Sequence, residues 1–419
     1  MMKINHEEIN RVCGLTPETD RAIRGMWIEP GAILKVREVM DREGWVEPVI
    51  ICDQNTYSLG DDLLENLENY DLICLDPEDL AADERSVSLA RTKIPETADC
   101  MIALGSVTIH DITRYLCWEY GKPFLSVPTA ASGEGYTTCI SSVVRKGVKY
   151  NVMAVTPDYL FGDTDIFAAA PPRLTAAGFS DLIGNYIAMA DWKISSVFTG
   201  EALNQTLCDG EKAAMEKVMA HLEALAQGDK DCCEDLLYAL ILPDMVMGIK
   251  EGARPMMGAE HHLSRYLDIS VKQPRVNAVH GEKIGVMTLK CLKVYEDFKK
   301  ALEEERLIPA DARGVTGKEI RQGFLEAEVR EAVTGLNRPN PLSGITGQTV
   351  LAHKEELLKI LGELPSYAVI EKACRTMGCK MTAESLGICE DIIEDAMKYS
   401  PYVSPDITLL RLKKLFKND

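Results

Sequence analysis

The chain of 419 residues is short of everything that would take it out of water or onto a polyanion. No apolar run approaches the roughly 18–20 residues of a membrane-crossing helix. Residues 1–10 (MMKINHEEIN) carry no apolar signal-peptide core. Positive charge is scarce, with 46 Lys and Arg against 65 Asp and Glu and a formal charge of -19. Phosphate backbones are held chiefly by Lys and Arg, so nucleic acid and anionic membrane surfaces are excluded as partners. The 13 cysteines follow no regular spacing. Cys232 and Cys233 are adjacent, and Cys374 and Cys379 match no structural zinc pattern. They read as reduced thiols used as small hydrophobes, and the lack of a membrane-length run and of a signal core leads to the cytoplasm as the expected compartment.

What the chain does have is an interior. Hydrophobic residues make up 46% and charged residues 26%, a globular balance, and the length suits two domains. Val49-Ile50-Ile51-Cys52, Leu72-Ile73-Cys74-Leu75, residues 100–104 and residues 123–127 are short apolar runs with helix-length segments between them. Such alternation predicts a parallel sheet with crossover helices. Residues 140–144 and 148–152, around Arg145-Lys146-Gly147, predict a hairpin. From about Pro171 strand signals cease, and amphipathic stretches such as 211–226, 280–305 and 351–361 predict a helical half. Within it, 309–349 is rich in Gly and Pro around one expected helix, 318–334.

Three constellations could carry chemistry. The first is CMIALGSVTIHDITRYLC, residues 100–117, a strand, a Gly105-Ser106 turn and a helix. A helix N-terminus offers amide donors to a phosphate, and glycine lets a ligand approach the backbone, although a plain tight turn has the same sequence. The second is the small, hydroxyl-rich loop from Ser126 through Thr129, Ser132 and Glu134 to Gly135, at the carboxyl end of a strand, where parallel sheets bind ligands. The third is polar and spread out: Asp181 in an apolar helix start, the adjacent His261 and His262, and His280. Neighbours on a helix point about 100° apart, so only one of the adjacent pair can face a site shared with His280. One carboxylate and two imidazoles would form a three-ligand metal site with an open position.

Taken together these segments resemble the glycerol-1-phosphate dehydrogenase branch of the metal-dependent alcohol dehydrogenase and dehydroquinate synthase superfamily. The resemblance runs from Ile28 to Tyr402. It is carried by Asp53-Gln54-Asn55-Thr56, Gly105-Ser106, Val127-Pro128-Thr129-Ala130-Ala131-Ser132, Pro171-Pro172-Arg173-Leu174, Ala190-Asp191-Trp192-Lys193, Arg254-Pro255, Gly258-Ala259-Glu260-His261-His262 and His280-Gly281-Glu282. It implies a dehydroquinate synthase-like fold: an α/β Rossmann-like nucleotide-binding domain with a hairpin flap over 1–168, then an all-α domain for metal and substrate over 169–419.

The resemblance also implies the site. Asp181, His261 and His280 match the metal ligands, for zinc, nickel or iron, and His262 stands aside. Gly105 and Ser106 match the turn under the NAD or NADP pyrophosphate, Thr129 and Ser132 the loop near cofactor and substrate, and Asp53, Asn55 and Thr56 the adenosine end. Glu134 stands where relatives commonly have Asp, in a proton relay or substrate contact. Arg254 and Lys283 are cations that could meet a substrate phosphate. Val107 and His110 replace a usual Gly and Asn, and Ser180 and Asn185 a usual Gly and Lys. The implied reaction interconverts dihydroxyacetone phosphate, or a similar small phosphorylated ketone, and sn-glycerol 1-phosphate, in a homodimer. A lyase or cyclase like dehydroquinate synthase, and a catalytically degenerate metabolite-binding relative, fit the same motifs.

Overall fold

The computed structural model describes residues 23–78, 80–145, 148–247, 257–270, 278–310 and 315–417. Six strands form one sheet in the order β1-β8-β5-β4-β2-β3: β1 Gly25–Glu29, β2 Pro48–Asp53, β3 Asp71–Leu75, β4 Cys100–Gly105, β5 Phe124–Pro128 and β8 Tyr159–Asp163. Every pairing is parallel. Strands β2, β4 and β5 are buried along their whole length, which is why they read as unbroken apolar runs. Their side chains alternate between two cores. Val49, Ile51, Met101 and Ala103 face Ile109, Ile112 and Leu116 of the helix Val107–Tyr120. Ile50, Cys52, Ile102 and Leu104 face Ile33, Val36 and Val39 on the other side.

From β2 the chain moves outward to β3, then returns to place β4 on the opposite side of β2. The reversal falls between β2 and β4, and crevices at such switch points are where open parallel sheets take ligands. The loops that leave these two strands are Asp53–Thr56 and Gly105-Ser106, both singled out by sequence.

Strands β1 and β8 are additions to the expected set. Each has only five residues, and β8 breaks its apolar run with Gly162 and Asp163. The flap forms as expected: β6 Ile140–Arg145 pairs antiparallel with β7 Val148–Met153. Its turn, Lys146-Gly147, lies outside the described residues.

After β8 the described residues contain helices and no further strand. By contacts the chain forms two compact units, Met1–Leu182 with Gln205–Ala253, and Ile183–Asn204 with Arg254–Asp419. The helices of 205–253 therefore group with the sheet, which a boundary at 168 does not anticipate. The helix Lys230–Met247 is tied there through Asp244, which accepts hydrogen bonds from the Gly135 and Thr137 amides after β5.

The expected helix over 318–334 is two helices, Gly317–Gly323 and Ala327–Leu336. Phe324 breaks it by taking an extended conformation and burying its ring edge-on to Tyr266, 5.5 Å between centroids. The stretch 211–226 is likewise divided, into Gln205–Met219 and Leu222–Ala226. No helix of the described residues is long and apolar enough to cross a membrane.

Candidate metal centre and nucleotide loops

At the end of β4, Gly105 turns the chain into the helix Val107–Tyr120, with Ser106 at its N-cap and no side-chain cap bond. The first-turn amides of such a helix point outward with a partial positive charge, the arrangement that suits a pyrophosphate. His110 braces the turn from below. Its Nδ1 lies 2.9 Å from the Ser106 carbonyl, which can only accept, so Nδ1 carries the proton and Nε2 accepts from the Ser126 hydroxyl at 2.9 Å. Burial first, and then the Arg114 cation, push this imidazole down to about 3. It is a neutral strut at neutral pH.

Asp53 is absorbed by its own loop. One carboxylate oxygen accepts from the Asn55 amide at 2.8 Å, the Thr56 amide at 3.0 Å and the Thr56 hydroxyl at 3.2 Å. Thr56 Oγ1 also lies 3.1 Å from the Leu104 carbonyl, joining the β2 loop to the end of β4. Asn55 is exposed beside it. In the loop after β5, the Thr129 amide donates to the Gly105 carbonyl at 3.3 Å, linking the two proposed nucleotide loops. Tyr136 donates to the Ala130 carbonyl at 2.8 Å, so at the 3.0 Å contact between Ser132 Oγ and the Tyr136 oxygen the serine is the donor. Val107 fills the space in front of Gly135: a Cβ on that glycine would stand 2.9 Å from Val107 Cγ1.

Asp181 ends the helix Pro172–Leu182 and is fully buried. Two glycines bring helix and loop together. A Cβ on Gly178 would overlap the Ala131 carbonyl, and one on Gly133 would stand 2.8 Å from Asp181 Oδ2. That same oxygen accepts the Glu134 amide at 2.9 Å, so backbone orients the carboxylate. Glu134 itself is buried, as are Ser180 and Asn185, the residues on either side of Asp181 that depart from the pattern of the resemblance.

His261 lies in the helix Ala259–Ile269 and His280 opens the helix His280–Glu303, with their ring centroids 5.3 Å apart. His261 Nδ1 contacts the Glu260 carboxylate at 2.8 Å, which directs Nε2 away from that partner. His262, 1% exposed, turns elsewhere, with Nε2 3.5 Å from Asp406 Oδ2. Among the described residues, Asp181, His261 and His280 are the candidate metal-holding group, the two histidines from one compact unit and the acid from the other. A carboxylate and two imidazoles, one backed by an acid, form a donor set that fits zinc, nickel or iron. Of the two cations considered for a substrate phosphate, Lys283 pairs with Asp268 at 2.5 Å, and Arg254 lies outside the described residues.

Sequence reasoning assigned no role to three buried acids, two of which, Asp191 and Glu260, lie within the motifs that carry the resemblance. Glu260 holds His261 and also accepts the Gly258 amide at 2.9 Å. Asp191 accepts from Ala259 N at 2.8 Å, Tyr295 Oη at 2.7 Å and Leu409 N at 2.8 Å, tying three chain segments around the base of the His261 helix. Asp244 is the third. Their signal was available as charge inside apolar helix sequence, but their partners are remote in the chain.

The model of the iron-containing alcohol dehydrogenase family matches residues 27–171. The glycerol-1-phosphate dehydrogenase [NAD(P)+] of Bacillus subtilis strain 168 is 32% identical over 87% of this chain and 84% of its own. The protein of that name from Bacillus velezensis is 33% identical over 64% of this chain and 70% of its own. Among solved structures, sulfoacetaldehyde reductase from Bifidobacterium kashiwanohense, in complex with NAD+, superposes with a TM-score of 0.60 at 15% identity, covering 93% of this chain and 95% of that one. That likeness establishes the fold. The two bacterial relatives, matched over most of their length, establish more: the chain belongs to the glycerol-1-phosphate dehydrogenase family.

Proposed function

We propose that this chain is a metal-dependent NAD(P)H-linked oxidoreductase that interconverts dihydroxyacetone phosphate, or a similar small phosphorylated ketone, and sn-glycerol 1-phosphate. The observation that carries the reading is the pair of imidazoles, His261 and His280, with ring centroids 5.3 Å apart and the Glu260 carboxylate 2.8 Å behind His261. When bound, a divalent cation supplies Lewis-acid polarisation of a carbonyl and the nicotinamide supplies the hydride. The protein's own part is placement. Asp181, oriented by the Glu134 amide, and the two imidazoles hold the cation. The amides after Gly105 hold the pyrophosphate. Glu134 exchanges the alcohol proton, and the loop from Thr129 to Ser132 lies between cofactor and substrate. No disulfide joins the twelve described cysteines, which supports the cytoplasm as its compartment.

The test is to strip the purified chain with a chelator, restore Zn²⁺, Ni²⁺ or Fe²⁺ singly, and follow NADH and NADPH oxidation with dihydroxyacetone phosphate. Metal-dependent oxidation in a one-to-one ratio with product is the expected result. A cyclase would return its cofactor unchanged, and a degenerate binder would show no turnover with any metal.

A further inference from the structure

The loop after β5 is gripped from outside by two buried side chains of opposite charge, Arg114 and Asp244, that the proposed chemistry does not use. Arg114, fully buried on the helix Val107–Tyr120, donates from Nη2 to the Gly135 carbonyl at 2.5 Å and from Nη1 to the Ile140 carbonyl at 3.2 Å. Its Nη1 also lies 3.1 Å from Asp111 Oδ1. On the other side of the same peptide segment, Asp244 Oδ2 accepts the Gly135 amide at 2.8 Å, the Thr137 amide at 3.1 Å and the Thr137 hydroxyl at 3.4 Å. Asp244 is 0% exposed. Both polar groups of Gly135 are therefore fixed by charged side chains, in a residue whose φ of +113° only glycine takes readily. The preceding residue is Glu134, whose amide orients Asp181.

Geometry of this kind is more than is needed to close a loop. A turn of small residues can satisfy its amides with water or neighbouring carbonyls. Here one carboxylate gathers three donors, and a guanidinium of opposite charge holds the intervening carbonyl. Charge-assisted bonds are the stronger and more directional kind, and loss of one buried partner leaves the others exposed to its full desolvation. Burial pushes the Asp244 carboxyl up to about 6, opposed by the Thr137 and Gly135 amides and by Arg114, so at neutral pH it is ionised and all three bonds are charge-assisted.

We propose that Asp244 is a positioning residue for the proposed reaction: with Arg114 it locks the Gly135 to Thr137 backbone, and through the adjoining Glu134 amide it sets the direction of the Asp181 carboxylate. The inference deepens the metal-site reading and rests on it for its functional consequence. Its structural half stands alone.

The experiment uses the full chain as wild type, Asp244→Ala and Asp244→Asn. Amide hydrogen exchange at Glu134, Gly135 and Thr137, zinc affinity by chelator competition, and kcat with KM for NADH are measured on each. In Asp244→Ala, exchange at the three amides rises at least about tenfold, zinc binding weakens, and kcat falls about 10–100-fold with KM for NADH unchanged. Asp244→Asn, which keeps an acceptor oxygen, recovers most of the lost kcat and protection. A folded Asp244→Ala protein with wild-type exchange and zinc affinity would overturn the proposal. So would an Asp244→Asn protein as impaired as Asp244→Ala. If Asp244→Ala does not fold, wild-type exchange decides: Gly135 and Thr137 protected as strongly as β4 support the lock, and exchange at exposed-loop rates refutes it. Failure of the dehydrogenase reading is distinguishable, because wild type would then oxidise no NADH while the exchange contrast persisted.

Discussion

The Glu260 carboxylate stands 2.8 Å from Nδ1 of His261, its immediate neighbour in the chain, and does so from a fully buried position. The same oxygen takes the Gly258 amide, so the acid is anchored before it meets the imidazole. An acid behind a ligating histidine fixes the ring's tautomer and raises its basicity toward the metal. Glu260→Gln is expected to weaken metal affinity about 10–100-fold, the range for outer partners of this kind. Chelator competition on the purified variant checks it, with circular dichroism confirming that the helix persists.

Gly133 offers a steric test of Asp181, the proposed carboxylate ligand. A Cβ there would stand 2.8 Å from Asp181 Oδ2, and real Cβ atoms do not approach so closely. The carboxylate must shift in Gly133→Ala, and the Glu134 amide bond lengthens with it. The prediction is a protein with near-native melting temperature that binds metal at least tenfold more weakly than wild type.

His110 makes the fold sensitive to acid. Burial holds its folded pKa at about 3, below the ordinary value near 6.5. Between those values the unfolded chain binds a proton that the folded chain refuses. Stability therefore falls as pH drops through this window, by up to about 1.4 kcal/mol per pH unit for one proton. His110→Asn removes the titration, and its urea midpoint should depend less on pH from 6.5 down to 4 than that of wild type.

Glu211 carries the opposite sign. It is 0% exposed on the helix Gln205–Met219, and among the described residues neither carboxyl oxygen has a hydrogen-bond partner. Burial pushes its carboxyl well above the usual range. A raised folded pKa means that stability present below the ordinary carboxylate value is lost as pH rises through the folded one. Glu211→Met should raise the melting temperature at pH 8 and raise it less at pH 5. Differential scanning calorimetry at both values tests the sign.

These cases also mark how far the sequence reaches. The apolar runs of β2, β4 and β5 were legible because parallel strands buried on both faces need no alternation. Strands β1 and β8 were not, since five-residue segments containing Gly, Glu or Asp resemble turns. The break at Phe324 depends on a ring finding Tyr266, a contact 58 residues away by subtraction of the two positions, and helical periodicity carries no sign of it. At the site, helix geometry allowed one of the adjacent His261 and His262 to face His280, and the resemblance chose His261. Asp244, Arg114 and Glu260 could not. Each acts through a backbone group or a neighbouring side chain, and residue spacing does not report which peptide an acid will hold.

Metal stoichiometry of four purified proteins, the wild type and the Asp181→Ala, His261→Ala and His280→Ala variants, tests the account most directly. Elemental analysis after loading and desalting should find about one zinc, nickel or iron per wild-type chain, and a large loss in every variant with the fold retained. Undiminished metal in any one of the three would contradict the shared centre.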